Sequence, residues 1–248
     1  MTAMAMSGFP ARPAADRNAF LVFTALVWVG IVSGFGTDSF NHVSKHGLDY
    51  PLIVHVHAVT FVSWLVLFTV QVALIRNGRA DLHRKLGVAG LVLAAAMLII
   101  GVTNVLLVDA ARYVAKGETP EFLGVQFTDL LAFATLTGAG LLMRATPSAH
   151  KRLMLLGLFY LSDAGFARFI NGFLAAPFGA GAWGEMMQLY MGSDLLILGL
   201  GAYDLVTRRR LHPAYVAALA WIVVLQVTAY LLLHSDSWKA LTVKMIGH

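Results

Sequence analysis

The sequence predicts an all-α polytopic membrane protein with seven transmembrane helices, arranged as three helical-hairpin repeats plus one N-terminal helix. Hydrophobic residues make up 58% of the 248 residues and charged residues 12%, and the mean hydropathy is +0.74. This balance is far from that of a soluble domain. Apolar runs of the roughly 20 residues needed to cross a bilayer recur along the chain. Arginine and lysine collect in alternate connections between these runs.

The predicted spans follow one another through short connections, so they form one helical membrane domain, residues 19–234. In chain order the spans are 19–36, 51–75, 86–108, 122–143, 153–174, 186–207 and 214–234. An N-terminal tail, residues 1–18, precedes this domain, and a C-terminal tail, residues 235–248, follows it. Span 1 has the length of a signal anchor, so we expect it to remain a helix, with a cleaved signal peptide as the alternative.

The net charge of +5 is explained by membrane topology. Basic residues concentrate in the N-terminal tail and in three connections: Arg12 and Arg17; Arg76, Arg79, Arg84 and Lys85; Arg144, Lys151 and Arg152; and Arg208, Arg209 and Arg210. The positive-inside rule then predicts a cytoplasmic N-terminus and an external C-terminus. An odd number of spans requires the same arrangement. The basic excess therefore predicts orientation, and we expect no nucleic-acid binding.

Three of the arginine-rich connections each place a histidine at the start of an outgoing helix. These residues are His83, His150 and His212, and their repetition predicts hairpins of spans 2–3, 4–5 and 6–7. Because basic residues surround them, we interpret them as helix caps or contacts to lipid phosphate, rather than as ligands of a metal or haem. The absence of cysteine excludes disulfides, iron–sulfur ligation and thiolate catalysis.

Most polar side chains within the spans lie in the half of the membrane opposite the arginine-rich connections. A polar residue in hydrocarbon is costly and marks a functional site by default. The predicted polar pocket comprises Asn104, Gln126, Asp129, Asp163, Arg168, Asn171, Gln188 and Asp194. We expect Arg168 to pair with one of the three aspartates, which leaves the other two to bind a metal, line water or stay protonated. The alternative is a hydrogen-bond network that holds the helices together. Asp204, four residues before Arg208, is interpreted as part of a surface pair of little energetic value.

Four histidines lie in span 2 and the loop before it: His42, His46, His55 and His57. They are the predicted ligands of a transition metal, Cu, Zn or Fe. His57 shares one helical stripe with Phe61 and Trp64, which predicts that it faces the interior, whereas His55 lies on a stripe of valines that faces lipid. His57 is also the candidate axial ligand of a haem b, with His55 or His234 as the second ligand.

Several of these patterns resemble a family of uncharacterised bacterial membrane proteins. The residues that carry the resemblance are His55-Val56-His57-Ala58, Trp64, Phe68, Gln71, Gly78-Arg79, Leu82 to Gly87, His150 to Met154, Asp194, Tyr203-Asp204, Arg210 and His212-Pro213. They extend over spans 2 to 7. The turn His83-Arg84-Lys85-Leu86-Gly87 is also similar to that of membrane proteins with cytochrome-b561-like helices. The resemblance implies a seven-helix protein of the bacterial inner membrane and carries no activity with it.

The leading functional hypothesis is an outward-facing site that binds haem or a transition metal for a redox role, with a quinone or a redox protein as partner. A proton- or ion-coupled transporter that uses the intramembrane aspartates and Arg168 is the runner-up. The third hypothesis is an accessory subunit that binds a lipid or quinone head group. Because no predicted span contains a lysine, a retinal protein is excluded. The sequence also has no phosphate-binding glycine loop.

Overall fold

The computed structural model describes Phe9 and residues 13–247, except for the side chains of residues 13 and 14, and its regular secondary structure is helical. Arg12 and most of the predicted N-terminal tail lie outside the described residues. The α-helices are α1 (Pro13–His46), α2 (Leu52–Arg76), α3 (Ala80–Lys116), α4 (Leu123–Leu142), α5 (Pro147–Leu161), α6 (Asp163–Arg168), α7 (Ile170–Ala175), α8 (Ala182–Arg208), α9 (Pro213–Leu233) and α10 (Asp236–Met245). A short 3-10 turn, Ala176–Phe178, follows α7. No β-strand occurs in the described part of the chain.

Six of these helices are long and apolar enough to cross a bilayer. A seventh span results if the bent pair Pro147–Arg168 and Ile170–Phe178 is taken as one, although its two parts meet at 78°. The predicted span 153–174 lies within this bent pair and is not one straight helix. The helix is interrupted at Ser162 and again at Phe169, whose backbone angles of φ −143° and ψ −62° leave the helical region. No proline marks either position, so the sequence carried no strong breaker signal there.

Several helices extend beyond the predicted spans, because hydropathy detects the hydrocarbon layer and not the end of a helix. Helix α1 continues past residue 36 to His46, and α3 continues past residue 108 to Lys116. The predicted C-terminal tail contains α10, which begins at the N-cap Ser235, where the hydroxyl accepts a hydrogen bond from the backbone N–H of Trp238. The Trp238 indole donates to the carbonyl of Glu121 at 3.0 Å.

The described residues form two compact units. The first unit contains the described residues up to Asp49 together with Ala132–Val223, and the second contains Tyr50–Leu131 and the described residues from Val224 onward. In the second unit α2 and α3 are antiparallel. A Cβ built on Gly90 would lie 3.4 Å from Leu67, and one on Gly101 would lie 3.4 Å from Phe61. Because the connection 117–122 is short, α4 also runs antiparallel to α3.

Close helix contact in the first unit depends on glycine. The Phe166 ring lies between α1 and α8, so that a Cβ on Gly30 would lie 2.5 Å from the ring and one on Gly192 would overlap with it. One turn along α1, a Cβ on Gly34 would overlap with the carbonyl oxygen of Gly165. These small residues let the helices approach to backbone contact, as membrane helices commonly do.

Gly34→Ala should destabilise the protein, because the added methyl meets a backbone atom of α6 that cannot rotate away. The expected cost is about 1–3 kcal/mol, the usual range for overpacking. The matched control is Gly36→Ala in the same helix, where nothing lies within 4 Å of the added Cβ. Apparent melting temperatures in detergent would compare the two variants, and equal values would contradict this helix contact.

Candidate functional site

The residues predicted to form one polar site divide between the two units. The first unit holds His42, His46, Asp163, Arg168, Asn171, Gln188 and Asp194, and the second holds His55, His57, Asn104, Gln126, Asp129 and His234.

In the second unit, His57 faces the interior as its helical spacing predicts. Its ring stacks on Phe61 with centroids 4.0 Å apart, and Trp64 on the same stripe is 4% exposed. His55 is exposed, beside Val59 at 67% exposure, and its ring meets Tyr50 edge-on at 6.0 Å. Of this histidine pair, His57 is therefore the one placed to contact a ligand inside the unit.

Three helices bring polar side chains to the level of His57. Gly101 of α3 lies against both neighbouring helices, since an added Cβ would be 3.4 Å from Phe61 of α2 and 2.8 Å from Leu130 of α4. Each of these three contact residues has a polar residue about one turn away on its own helix. These are Asn104 for Gly101, His57 for Phe61 and Gln126 for Leu130. Because α3 is antiparallel to α2 and α4, all three displacements point toward the same end of the unit.

Helix α9 reaches the same end of the second unit. A Cβ on Gly124, two residues before Gln126, would lie 2.9 Å from Leu232 of α9. His234 follows two residues later and is exposed. Its Nδ1 lies 2.9 Å from the carbonyl oxygen of Tyr230. An Nδ1–H that donates to this carbonyl orients the ring, as a backbone carbonyl commonly does for metal-bound histidines.

Three amide oxygens in the second unit are buried without a hydrogen bond from the described residues. Oε1 of Gln71 lies toward the far end of α2, whereas Oδ1 of Asn104 and Oε1 of Gln126 lie near His57. Leaving a buried polar group unsatisfied costs about 1–3 kcal/mol. Because the latter two amides lie at the level of His57, they mark a place where a bound group would supply donors. Asp129, one turn along α4 from Gln126, is half-buried in the same helix.

The loop histidines of the first unit show the predicted helical spacing. His42 and His46 both lie in α1, with ring centroids 4.9 Å apart. His42 Nε2 lies 2.6 Å from Asp49 Oδ1, and this hydrogen bond holds the pKa of Asp49 below its ordinary value. Among the described residues, no group of three or more histidine, aspartate or glutamate side chains is arranged to hold a metal ion.

Several residues of the predicted polar pocket serve packing in the first unit. Asn171 is fully buried; its amide nitrogen donates to the carbonyls of Gln188 and Leu189, and its oxygen accepts from the Gly192 N–H at 2.8 Å. The Gln188 residue itself is exposed. Arg168 forms an ion pair at 3.7 Å with Asp38, which lies outside the predicted pocket.

Asp163 and Asp194 lie at one level of the first unit. Helices α6 and α8 are antiparallel, with Phe166 against Gly192. Asp163 precedes Phe166 by three residues and Asp194 follows Gly192 by two, so both are displaced in the same direction. Asp163 is 3% exposed and begins α6, directly after the helix interruption at Ser162. A broken helix with a buried carboxylate is a common element of transporter sites.

The arginine-rich end of the first unit holds a buried cluster that the sequence interpretation missed. Arg152 and Asp204 are both 0% exposed and form two parallel hydrogen bonds, Nε to Oδ2 at 2.7 Å and Nη2 to Oδ1 at 2.5 Å. Arg208 contacts Asp204 at 3.3 Å and Asp16 at 2.5 Å. Lys151 and the Tyr203 hydroxyl also donate to Asp16. We call these six residues the arginine–aspartate cluster.

The interpretation of Asp204 as part of a surface pair is therefore wrong. The contact with Arg208, four residues away, exists as the spacing predicts, but α5 and α1 cover it. Hydropathy along α8 could not reveal this burial, because the main partner Arg152 lies 52 residues away in sequence. The available signal was a carboxylate in an apolar span near three separate arginine-rich segments.

Phe9 and His212 close the cluster. The Phe9 ring lies 4.6 Å from the Arg152 guanidinium and 5.2 Å from that of Arg208, and it meets the His212 ring edge-on. His212 Nδ1 accepts from the Ala214 N–H at 3.1 Å, which confirms the predicted helix cap. Burial, with Arg152 nearby, lowers the pKa of His212 to about 4, so this ring is neutral at physiological pH.

No family model, curated protein or solved structure matches the chain.

Asp204→Asn should destabilise the protein by roughly 3–5 kcal/mol, because it leaves the Arg152 charge buried without its counter-charge. The matched control is Asp81→Asn. The Asp81 and Arg79 side chains are each about half exposed, so their ion pair should contribute at most about 1 kcal/mol. Melting temperatures in detergent would compare the variants. Arg152→Met combined with Asp204→Leu should recover much of the loss, and a wild-type melting temperature for Asp204→Asn would contradict the role of the pair.

Proposed function

We propose that this protein binds a redox-active group, haem b above all, in its second unit, and that it carries electrons in the bacterial inner membrane. The observation that supports this most directly is the level shared by His57, Asn104 and Gln126. There an inward-facing imidazole accompanies two buried amide oxygens that have no hydrogen bond within the described residues. A bound group that presents hydrogen-bond donors there, such as protonated propionic acids or water held at its polar edge, would satisfy both oxygens.

The ligand residues that the second unit offers suit a haem better than they suit a bare transition metal. Haem iron takes four ligands from the porphyrin and needs one or two side chains from the protein, whereas a structural or catalytic zinc needs three or four. No three-donor group is present among the residues that the structure describes. We assign His57 as the first axial ligand and His234 as the candidate second ligand. Asn104 and Gln126 would orient the group through hydrogen bonds, and a bound haem supplies one-electron chemistry.

The other proposed ligand sets are less favoured. His55 is exposed on the valine side of α2, which makes it a poor second axial ligand. The four histidines proposed for a Cu, Zn or Fe centre divide between the units, with His42 and His46 in the first and His55 and His57 in the second. A quinone head group or a redox protein at the same end is the proposed electron partner, and membrane lipids surround the spans.

We further propose seven spans, with the bent pair α5–α6 and α7 counted as one, and three hairpin repeats. The N-terminus is placed in the cytoplasm and the C-terminus outside, because the arginine-rich connections alternate with connections poor in basic residues. We also propose that the protein belongs to the family of bacterial seven-helix membrane proteins that its sequence resembles.

A proton- or ion-coupled transporter is the second candidate function, and the first unit favours it. Asp163 and Asp194 share a level beside an interrupted helix. Toward the other end of the same helices lies the buried arginine–aspartate cluster. A transporter needs polar groups on both sides of its barrier. The sequence indicated few of them in the half of the membrane next to the arginine-rich connections, and the arginine–aspartate cluster supplies them there. Asp163 would carry the proton or ion in this candidate function.

The redox proposal predicts that purified protein shows a Soret band, with α and β bands after dithionite reduction, at a stoichiometry near one haem per chain. His57→Ala should abolish these bands because it removes the inward imidazole. His55→Ala is the matched control, two residues away on the exposed side of α2, and should keep the full spectrum. Absorption spectra and elemental analysis of the same samples measure the result. A colourless, metal-free wild-type protein would overturn the redox proposal.

The transport candidate predicts a proton or cation flux when the protein is reconstituted in vesicles under an imposed gradient. Asp163→Asn should reduce this flux at least tenfold, because an amide carries no titratable proton. Asp236→Asn, which changes an exposed carboxylate at the start of α10, should leave it unchanged. A pH-sensitive dye in the vesicle lumen reports the flux. Absence of flux in the wild-type protein for protons and for Na⁺ would exclude this candidate.

A further inference from the structure

We propose that the first unit binds an anionic phospholipid, with one acyl chain in a groove between α4, α5 and α9 and the phosphate at Arg144 and Arg209. The groove encloses about 410 Å³. Small and apolar side chains line it, among them Ala139, Met143, Leu153, Pro213, Ala217 and Trp221. This site is separate from the residues assigned to the redox group.

The lining of the groove favours hydrocarbon over a polar ligand. Thr135 is the polar side chain among its lining residues, and its hydroxyl already accepts a hydrogen bond from the Trp221 indole at 2.9 Å. A polar occupant would lose its bonds to water without replacement, which is costly. The alanines at 139, 214, 217 and 218 give the groove its depth, and Trp221 forms one wall. An acyl chain is flexible, apolar and abundant where these helices lie.

The end of the groove at Met143 and Pro213 is next to two exposed arginines. Arg144 directly follows Met143, and Arg209 precedes Pro213 by four residues. A contact between the Ser148 hydroxyl and His212 Nε2 at 3.2 Å joins the two turns that carry them. Neither guanidinium has a side-chain partner within the described residues. Guanidinium groups of this kind bind phosphate in bidentate fashion.

The neighbouring basic residues are already engaged, which leaves Arg144 and Arg209 for the lipid. Arg152 is paired with Asp204, and both Arg208 and Lys151 are paired with Asp16. The Arg210 guanidinium lies 5.4 Å from the centre of the Phe9 ring. Positive charge at the mouth of an apolar groove matches a negatively charged head group with an attached chain, and it discriminates against a zwitterionic one.

The test is native mass spectrometry of the detergent-purified protein, titrated with phosphatidylglycerol or phosphatidylcholine that carry identical chains. We expect tighter binding of phosphatidylglycerol. Arg144→Gln with Arg209→Gln should remove this preference, because each arginine is expected to strengthen the binding of phosphatidylglycerol about fivefold. Arg84→Gln in the second unit is the charge control. Ala217→Phe should block both lipids by filling the groove, while Val216→Phe, on the neighbouring exposed position of α9, should not.

Three results would overturn the proposal. Equal binding of the two lipids, unchanged in the double arginine variant, would exclude a site for the anionic head group. Displacement of phosphatidylglycerol by inorganic phosphate, together with normal binding in Ala217→Phe, would indicate a free-anion site without the groove. Equal losses in Ala217→Phe and Val216→Phe would indicate a general effect on α9. Wild-type melting temperatures in all variants confirm that the variants are folded.

Discussion

The pairing of Arg152 with Asp204 is the constraint on which the first unit depends. An isolated charge in an apolar bundle is very unfavourable, so each of these buried groups requires the other in a fixed position. The pair joins α5 to α8, and Arg208 extends it to Asp16 of α1. Three helices that are distant in sequence are thereby held in one register. A buried ion pair adds little net stability compared with apolar packing, but it penalises every arrangement that separates its charges.

This register sets the remainder of the unit. Arg152 lies opposite Asp204, and α5 and α6 run antiparallel to α8. Phe166 therefore lies against Gly192. Further along the chain, Asn171 reaches the backbone of α8. The interruptions at Ser162 and Phe169 allow the chain to turn while these contacts form. Asp163 is then placed at the level of Asp194. The charged cluster at one end and the carboxylates toward the other are consequences of the same packing.

The parts of the structure that the sequence predicts are those determined by local periodicity. The interior stripe of α2, with His57 and Trp64 inward and His55 outward, follows from 3.6-residue spacing. The burial of Asp204 could not be predicted in this way, because it depends on residues of α1 and α5. The break near Phe169 could not be predicted from the local sequence either, because no proline marks it. Hydropathy thus located the spans and left their ends, breaks and charge partners undetermined.

The buried amides of the two units show how packing and ligand binding can be distinguished. Asn171 and Asn104 carry the same side chain, and both lie within apolar helices. Asn171 donates to two backbone carbonyls and accepts from one backbone N–H, so its role in holding α7 against α8 is complete within the protein. The Asn104 oxygen is buried and accepts no hydrogen bond from any described residue, and the same is true of the Gln126 oxygen at its level. Since the cost of an unsatisfied amide in hydrocarbon is removed when a ligand donates to it, the second unit is where a bound group gains most from the protein.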